Sequence, residues 1–394
     1  MLAAGCRGDA PAAAPPSNRG SATVSLVPRL PRTEDGNGVL RGVDERIVVH
    51  AKEPRVELAL RLERAAITGH LEDYQRALAI SDELIANAPD DPDALQARIR
   101  ALLRVHHFAD ARVALAKLKP KLEHPSEWRE LEAQLDEATG AQDRSAPVRA
   151  QVAKEWPNPT SLTLYAASLA LDGKLDDALA TMPRAAAAIH DNSTELIAWL
   201  LFQWGRLYEQ KGELAAARTF FAEAHARLPR LVEATSHLAQ AMIATGDRDG
   251  AKKIVDDAVA LDQVPELLAL AASLGRTSLA ATAHDEWERY VAALPEAFAD
   301  HAARFYLGVG ANPARALVLA KLNLANRDTR EARALVVDAA LAAGDAKLAC
   351  ESADKVAVAA ALRSQRFLAW RAFTACKRKE DAARLGRELG ITGS

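Results

Sequence analysis

From about Pro54 onward, apolar residues return every three or four positions in stretches of helix length. That spacing places them on one face of an α-helix. The stretches are broken at intervals by Gly, Pro or Asp/Asn, the residues that reverse or stop a helix. Runs rich in Val, Ile and Thr, which would mark strands, are nearly absent. The chain therefore reads as all-α. Its longest apolar run, Leu196 to Phe202, falls well short of the about 20 residues a membrane-crossing helix needs and predicts a buried helix.

The interruptions are periodic. Leu201, Trp204, Gly205 and Tyr208 share one predicted helix, Gly212 ends it, Ala217, Phe221 and Ala224 lie on a second, and Pro229 closes the unit. The next unit repeats the pattern with Leu238, Ala239, Met242, Gly246, Ala251, Val255 and Ala258. Gly212 and Gly246 stand 34 residues apart, as do Ala217 and Ala251, Ala224 and Ala258, and Gly310 and Gly344. Looser copies carry Leu162, Ala166, Leu169, Gly173 and Ala178, or Leu95, Leu102, Phe108 and Ala111, or Gly344 and Ala349. The stretches 125–157 and 265–296 hold the pattern least well. A fixed period of this length marks a solenoid, in which no unit can cover its own apolar face. Small residues at 205, 217 and 224 suit helix crossings, and the rings of Trp204, Tyr208 and Phe221 suit the space between helices.

These residues resemble the tetratricopeptide repeat (TPR) family, most completely over residues 198–263. The resemblance implies a right-handed superhelix of about nine to ten helical hairpins. Its concave surface would be lined by the first helix of each pair and would bind protein or peptide partners. Carried onto this sequence, the exposed first-helix positions are Arg100 and Arg104, with Asp93 and Gln96 beside them, then Trp199, Phe202, Arg206 and Glu209, then Gln240 with Glu233 and Ser236. Arginine and large aromatic residues make good binding contacts. The rings of Trp199 and Phe202 would serve equally well as packing between repeats. The Lys/Asn/Arg clamp by which some members hold a terminal carboxylate is absent.

Composition narrows the function classes. Lys and Arg number 50 against 53 Asp and Glu, a balance without the basic footprint of a nucleic-acid binder. No phosphate loop, no HExxH and no GxSxG occurs. His284 and Glu288 lie one helical turn apart but lack a third ligand nearby, and Gly308-Val309-Gly310 falls where a repeat turn is expected. The reading is a binding protein without catalytic residues, metal or cofactor. An enzyme using a pocket in the solenoid is the remaining alternative.

The first 45 residues differ from the rest. Ala10–Pro16 reads APAAAPP, followed by SNRGS and TEDGNG, which predicts a flexible tether through residue 45, with the solenoid over 46–394 and a charged cap helix at 377–389. Ahead of the tether, Leu2-Ala3-Ala4-Gly5-Cys6 resembles the lipobox of bacterial lipoproteins. Ala3 stands where Leu is usual, and only Met1 and Leu2 precede the box. The expectation is a truncated signal, a lipid on Cys6, a place in the periplasm or outer membrane, and no other membrane contact. A cytosolic adaptor is the alternative. In an exported chain Cys350 and Cys376, at neighbouring ends of antiparallel helices, are expected to form a disulfide; in the cytosol they would be buried thiols.

Overall fold

The computed structural model describes residues 26–33, 35–123 and 126–391. Among them are twenty-one α-helices and no strand. A first helix, α1 (Gly36–Val49), precedes ten helical hairpins. The hairpins are α2 (Pro54–Thr68) with α3 (Leu71–Asn87), α4 (Pro92–Arg104) with α5 (Phe108–Leu118), and α6 (Ser126–Ala138) with α7 (Gln142–Glu155). Next come α8 (Pro159–Leu171) with α9 (Leu175–Ala187), α10 (Thr194–Lys211) with α11 (Leu214–Arg227), and α12 (Val232–Ala244) with α13 (Arg248–Leu261). The last four are α14 (Pro265–Ser273) with α15 (Leu279–Ala293), α16 (Pro295–Leu307) with α17 (Pro313–Asn326), α18 (Arg330–Ala342) with α19 (Ala346–Ala353), and α20 (Arg363–Ala375) with α21 (Lys379–Leu389).

The hairpin α10/α11 shows why the period selects these residues. Gly212 turns the chain at φ +87°, a conformation only glycine adopts without strain. A methyl group on Gly205 would lie 2.6 Å from the Phe221 ring, so the helices could not approach as they do. Trp204 stacks on Phe220 at 4.7 Å, and Tyr208 stacks on the same ring at 5.4 Å. Ala217, Phe220, Phe221 and Ala224 are buried.

The two stretches where the pattern fades also fold as hairpins. In α7 a proline, Pro147, sits inside the helix, and α14 is cut to nine residues, so local shape departs from the period while the architecture continues. At the C-terminus, α21 carries a charged outer face and buries Leu385 and Leu389.

The tether expected through residue 45 is corrected by the structure. Helix α1 begins at Gly36 and buries Leu40, Val43 and Ile47. Asp35 caps it by accepting from the Asn37 and Gly38 amides, and Gly36 lies so close to the end of α11 that a side chain would strike the Arg227 carbonyl. Arg227 Nη1 donates to the Pro31 carbonyl at 2.9 Å. The Asp-Gly-Asn-Gly run reads as a turn, but tertiary packing recruits it as a helix start. Residues 1–25, with Cys6, lie outside the described residues.

The hairpins wind far enough for the first to meet the seventh and eighth. The Tyr290 hydroxyl accepts from the Leu71 amide at 3.3 Å, 219 residues away in sequence, and donates to the Gly69 carbonyl at 3.2 Å. Arg289 pairs with Glu72 at 2.8 Å and His70 with Asp262 at 3.0 Å. His106 donates from Nδ1 to the Glu296 carbonyl at 3.2 Å, and Asn326 donates to the His106 carbonyl at 2.9 Å. This closing seam makes the concave face an interior channel.

Candidate partner-binding channel

First helices of successive hairpins line the channel, which widens into three cavities. The one beside the seam, about 660 Å³, is walled by α2, α3, α4, α10, α12, α14, α15 and α16. A second, about 750 Å³, lies between α2, α4 and α10. The third, about 960 Å³, lies among α6, α8, α10 and α18. They adjoin: Glu63, Arg104 and Trp199 border the first two, Gln134 and Leu164 the second and third, and Gln203 the first and third. Each is of a size that admits several side chains of an incoming segment.

The structure brings together some of the sequence-chosen residues. Arg100, Arg104 and Trp199 line the second cavity with Asp93 and Gln96. Arg100 and Arg104 are exposed and have no ion-pair partner among the described residues. Arg206 lines the third cavity, half-exposed, forming an ion pair with Glu209 at 3.2 Å and covering the Phe202 ring. Glu209 also holds His237 Nδ1 at 3.0 Å. Burial pulls the Glu209 carboxyl upward, but His237 and Arg206 outweigh it and keep the group below its ordinary range. Its charge is therefore turned to internal pairing. Gln240 is exposed but lies outside the three cavity linings.

Phe202 as a binding contact is corrected. It is only 2% exposed and packs against Phe221 at 5.8 Å and His237 at 5.4 Å. Its ring closes the wall between α10 and its neighbours, leaving almost no surface for a partner. Ser236 is buried as well. The neighbours His284 and Glu288 do not form a metal pair: Glu288 is held by Arg315 at 2.7 Å and accepts from the Tyr306 hydroxyl, while His284 faces Asp285. Among the described residues no group of three His, Cys, Asp or Glu is placed to hold a metal ion, and no helix is long and apolar enough to cross a membrane.

Sequence reasoning missed the aromatic wall of the first cavity. Tyr74 meets Phe298 edge-on at 5.7 Å, Phe298 meets Tyr290 at 4.9 Å, and Tyr290 meets Trp287 at 6.2 Å. These rings come from α3, α15 and α16, and only superhelical closure joins them. Burial raises the Tyr74 hydroxyl to about 12, and it donates to the Ala65 carbonyl at 3.1 Å. Beside the wall, burial lowers His106 to about 4, with Arg327 adding to the effect. Burial would raise Asp300, but His301, Arg304 and Arg327 overcome it and hold the carboxyl far below its usual range. Both the neutral imidazole and the carboxylate are thereby fixed at neutral pH.

Cys350 and Cys376 are joined as a disulfide, with their Cα atoms 6.2 Å apart, within the span such a bridge allows. It ties α19 to the end of α20.

The molecule is thus a solenoid of helical hairpins with an interior channel. Residues 208–274 match the tetratricopeptide repeat family, spanning α11, α12, α13 and α14. No curated protein matches the chain. Among solved structures it is similar to a chain of the APC/C hetero-tetramer Cut9-Hcn1, at 13% identity and a TM-score of 0.47, covering 88% of this chain and 66% of that one. It is also similar to a tetratricopeptide repeat protein from Parabacteroides merdae, at 15% identity and 0.35, covering 60% and 93%. A human IFIT1 dimer with PPP-AAAA is similar at 12% and 0.40, covering 88% and 76%. Likenesses this distant say nothing of partners, and the chain spans just under two thirds of the Cut9-Hcn1 chain.

Proposed function

We propose that this protein is an interaction scaffold that holds a polypeptide segment of a partner in its channel and carries out no chemistry of its own. The observation that carries the reading is the placement of Arg100, Arg104 and Trp199 on one connected concave surface, where the two guanidinium groups have no ion-pair partner among the described residues. Unpaired, exposed arginines beside a half-buried indole are the contacts through which interfaces gain most of their affinity. Nucleic acid is not the expected partner, because the channel linings mix both charges and the chain carries 53 acidic against 50 basic residues. The test is the double variant Arg100→Glu with Arg104→Glu, used to capture partners from the native host. Capture should fall at least tenfold with helicity unchanged; undiminished capture would remove these residues from the site.

For location, we infer a bacterial cell envelope, with the scaffold held by a lipid on Cys6 in the periplasm or outer membrane. The lipobox-like Leu2–Cys6 run supports this. So does the Cys350–Cys376 bridge, since disulfides persist mainly in oxidising compartments. Mass spectrometry of native material should find Cys6 acylated in the membrane fraction. An unmodified Cys6 in the soluble fraction would favour the cytosolic adaptor.

A further inference from the structure

The cavity beside the seam differs chemically from the rest of the channel. In a chain with only 5% aromatic residues, five rings besides the buried Phe202 border this one space: Tyr74, Trp199, Trp287, Tyr290 and Phe298, of which Tyr74, Trp199 and Phe298 are partly exposed. Its ionisable lining is four carboxylates, Glu63, Glu195, Glu233 and Glu266, against the single guanidinium of Arg104, with His106 and His301. Glu195 and Glu233 have no cationic partner among the described residues. Glu63 pairs with Arg46 at 3.1 Å, and Glu266 faces His301 at 3.7 Å. Burial raises Glu63, and the negative charge of Glu195 opposes its ionisation further, although Arg46 works in the other direction. Negative charge is therefore in excess here.

The geometry points to this cavity as the receptor for an arginine or lysine side chain of the partner segment, flanked by apolar residues. The aromatic faces attract a cation through their quadrupoles, the carboxylates supply the opposite charge, and the apolar walls take the side-chain stem and its neighbours. Carboxylate repulsion in the empty cavity is relieved when the cation enters, so charge complementarity favours a basic occupant over a neutral or acidic one. The pairing also divides the channel. The adjoining cavity, with Arg55, Arg100 and Arg104 against Glu63 and Asp93, suits an acidic or neutral stretch of the same segment. A bound segment would therefore have one direction, its cation toward the seam.

This inference rests on the reading that the channel takes a partner's polypeptide. It is tested on the full chain with three fluorescein-labelled peptides: one arginine between leucines, and the same peptide with glutamine or glutamate replacing the arginine. Anisotropy should show the arginine peptide binding at least tenfold more tightly than either counterpart. The double variant Glu233→Gln with Glu266→Gln should remove most of that preference, and Trp199→Leu should weaken binding. Lys252→Gln, on the exposed side of α13 and outside the three cavity linings, should leave binding unchanged. Equal binding of the three peptides, or a preference that survives the two glutamine substitutions, overturns the inference. So does binding of benzyltrimethylammonium alone without any peptide, which would make the cavity a small-cation site. Tighter binding of the glutamate peptide also overturns it, but leaves the channel reading standing, because a segment would still be held there.

Discussion

The hairpin α10/α11 and the closing seam are both held by aromatic packing, yet they are built in opposite ways. In α10/α11 the stacked rings lie within one repeat: Trp204 and Tyr208 stack on Phe220 with centroids 4.7 and 5.4 Å apart. At the seam, Tyr74 meets Phe298, and the Tyr290 hydroxyl bonds to backbone 219 and 221 residues away. The first region buries apolar surface between neighbours and would persist in a fragment. The second exists only when the superhelix has made its turn. A solenoid's stability is a sum of repeat and neighbour terms, so the seam adds a long-range term that ordinary repeats lack.

The sharpest contrast comes from the core. Replacing fully buried Phe221 with alanine should cost about 3–5 kcal/mol and loosen α10 to α12 as a block, as read by chemical denaturation with hydrogen exchange. A smaller loss that spares α12 would show that the repeat is less tightly coupled than its packing implies.

The seam should respond to acid. His106 titrates near 6.5 in an unfolded chain and near 4 when folded. Between those values the unfolded chain binds more protons, so stability is full above about pH 6.5 and falls toward pH 4. The loss should be on the order of 2–3 kcal/mol. His70 faces Asp262 and His107 faces Glu296 across the same seam. His106→Asn should flatten the dependence, since asparagine tolerates the left-handed backbone of this position, φ +59°. Unchanged midpoints at pH 7 and 4.5 in the native chain would contradict the assignment.

Two smaller changes probe the same joint. Tyr290→Phe removes both hydroxyl bonds and should cost about 1 kcal/mol, appearing as faster exchange at the Leu71 amide while α10/α11 is untouched. Arg289→Ala breaks an exposed pair with Glu72 and should cost under about 1 kcal/mol. A larger effect from Arg289 than from Tyr290 would mean that the seam is electrostatic.

The same contrast explains what the sequence made legible. The all-α class and the hairpin boundaries follow from spacing and from turn residues such as Gly212, which act within one unit. Arg100, Arg104 and Trp199 could be placed on the concave face because position within a repeat fixes direction. Phe202 could not be settled, because wall packing and partner contact call for the same ring. The four-ring wall was invisible: Tyr74, Trp287, Tyr290 and Phe298 carry no shared period and meet only through accumulated curvature. Helix α1 was hidden by Asp35-Gly36-Asn37-Gly38, a turn signal overruled by the stripe of Leu40, Val43 and Ile47 against the solenoid.

The central claim is that partners enter the interior channel. It is tested most directly by a photo-crosslinking residue placed at Gln203, where the first and third cavities adjoin, and separately at Lys252 on the exposed side of α13. In the native host, irradiation should yield a discrete adduct from position 203 and none from position 252. An adduct from position 252 alone would place the binding surface on the outside of the solenoid and contradict the account.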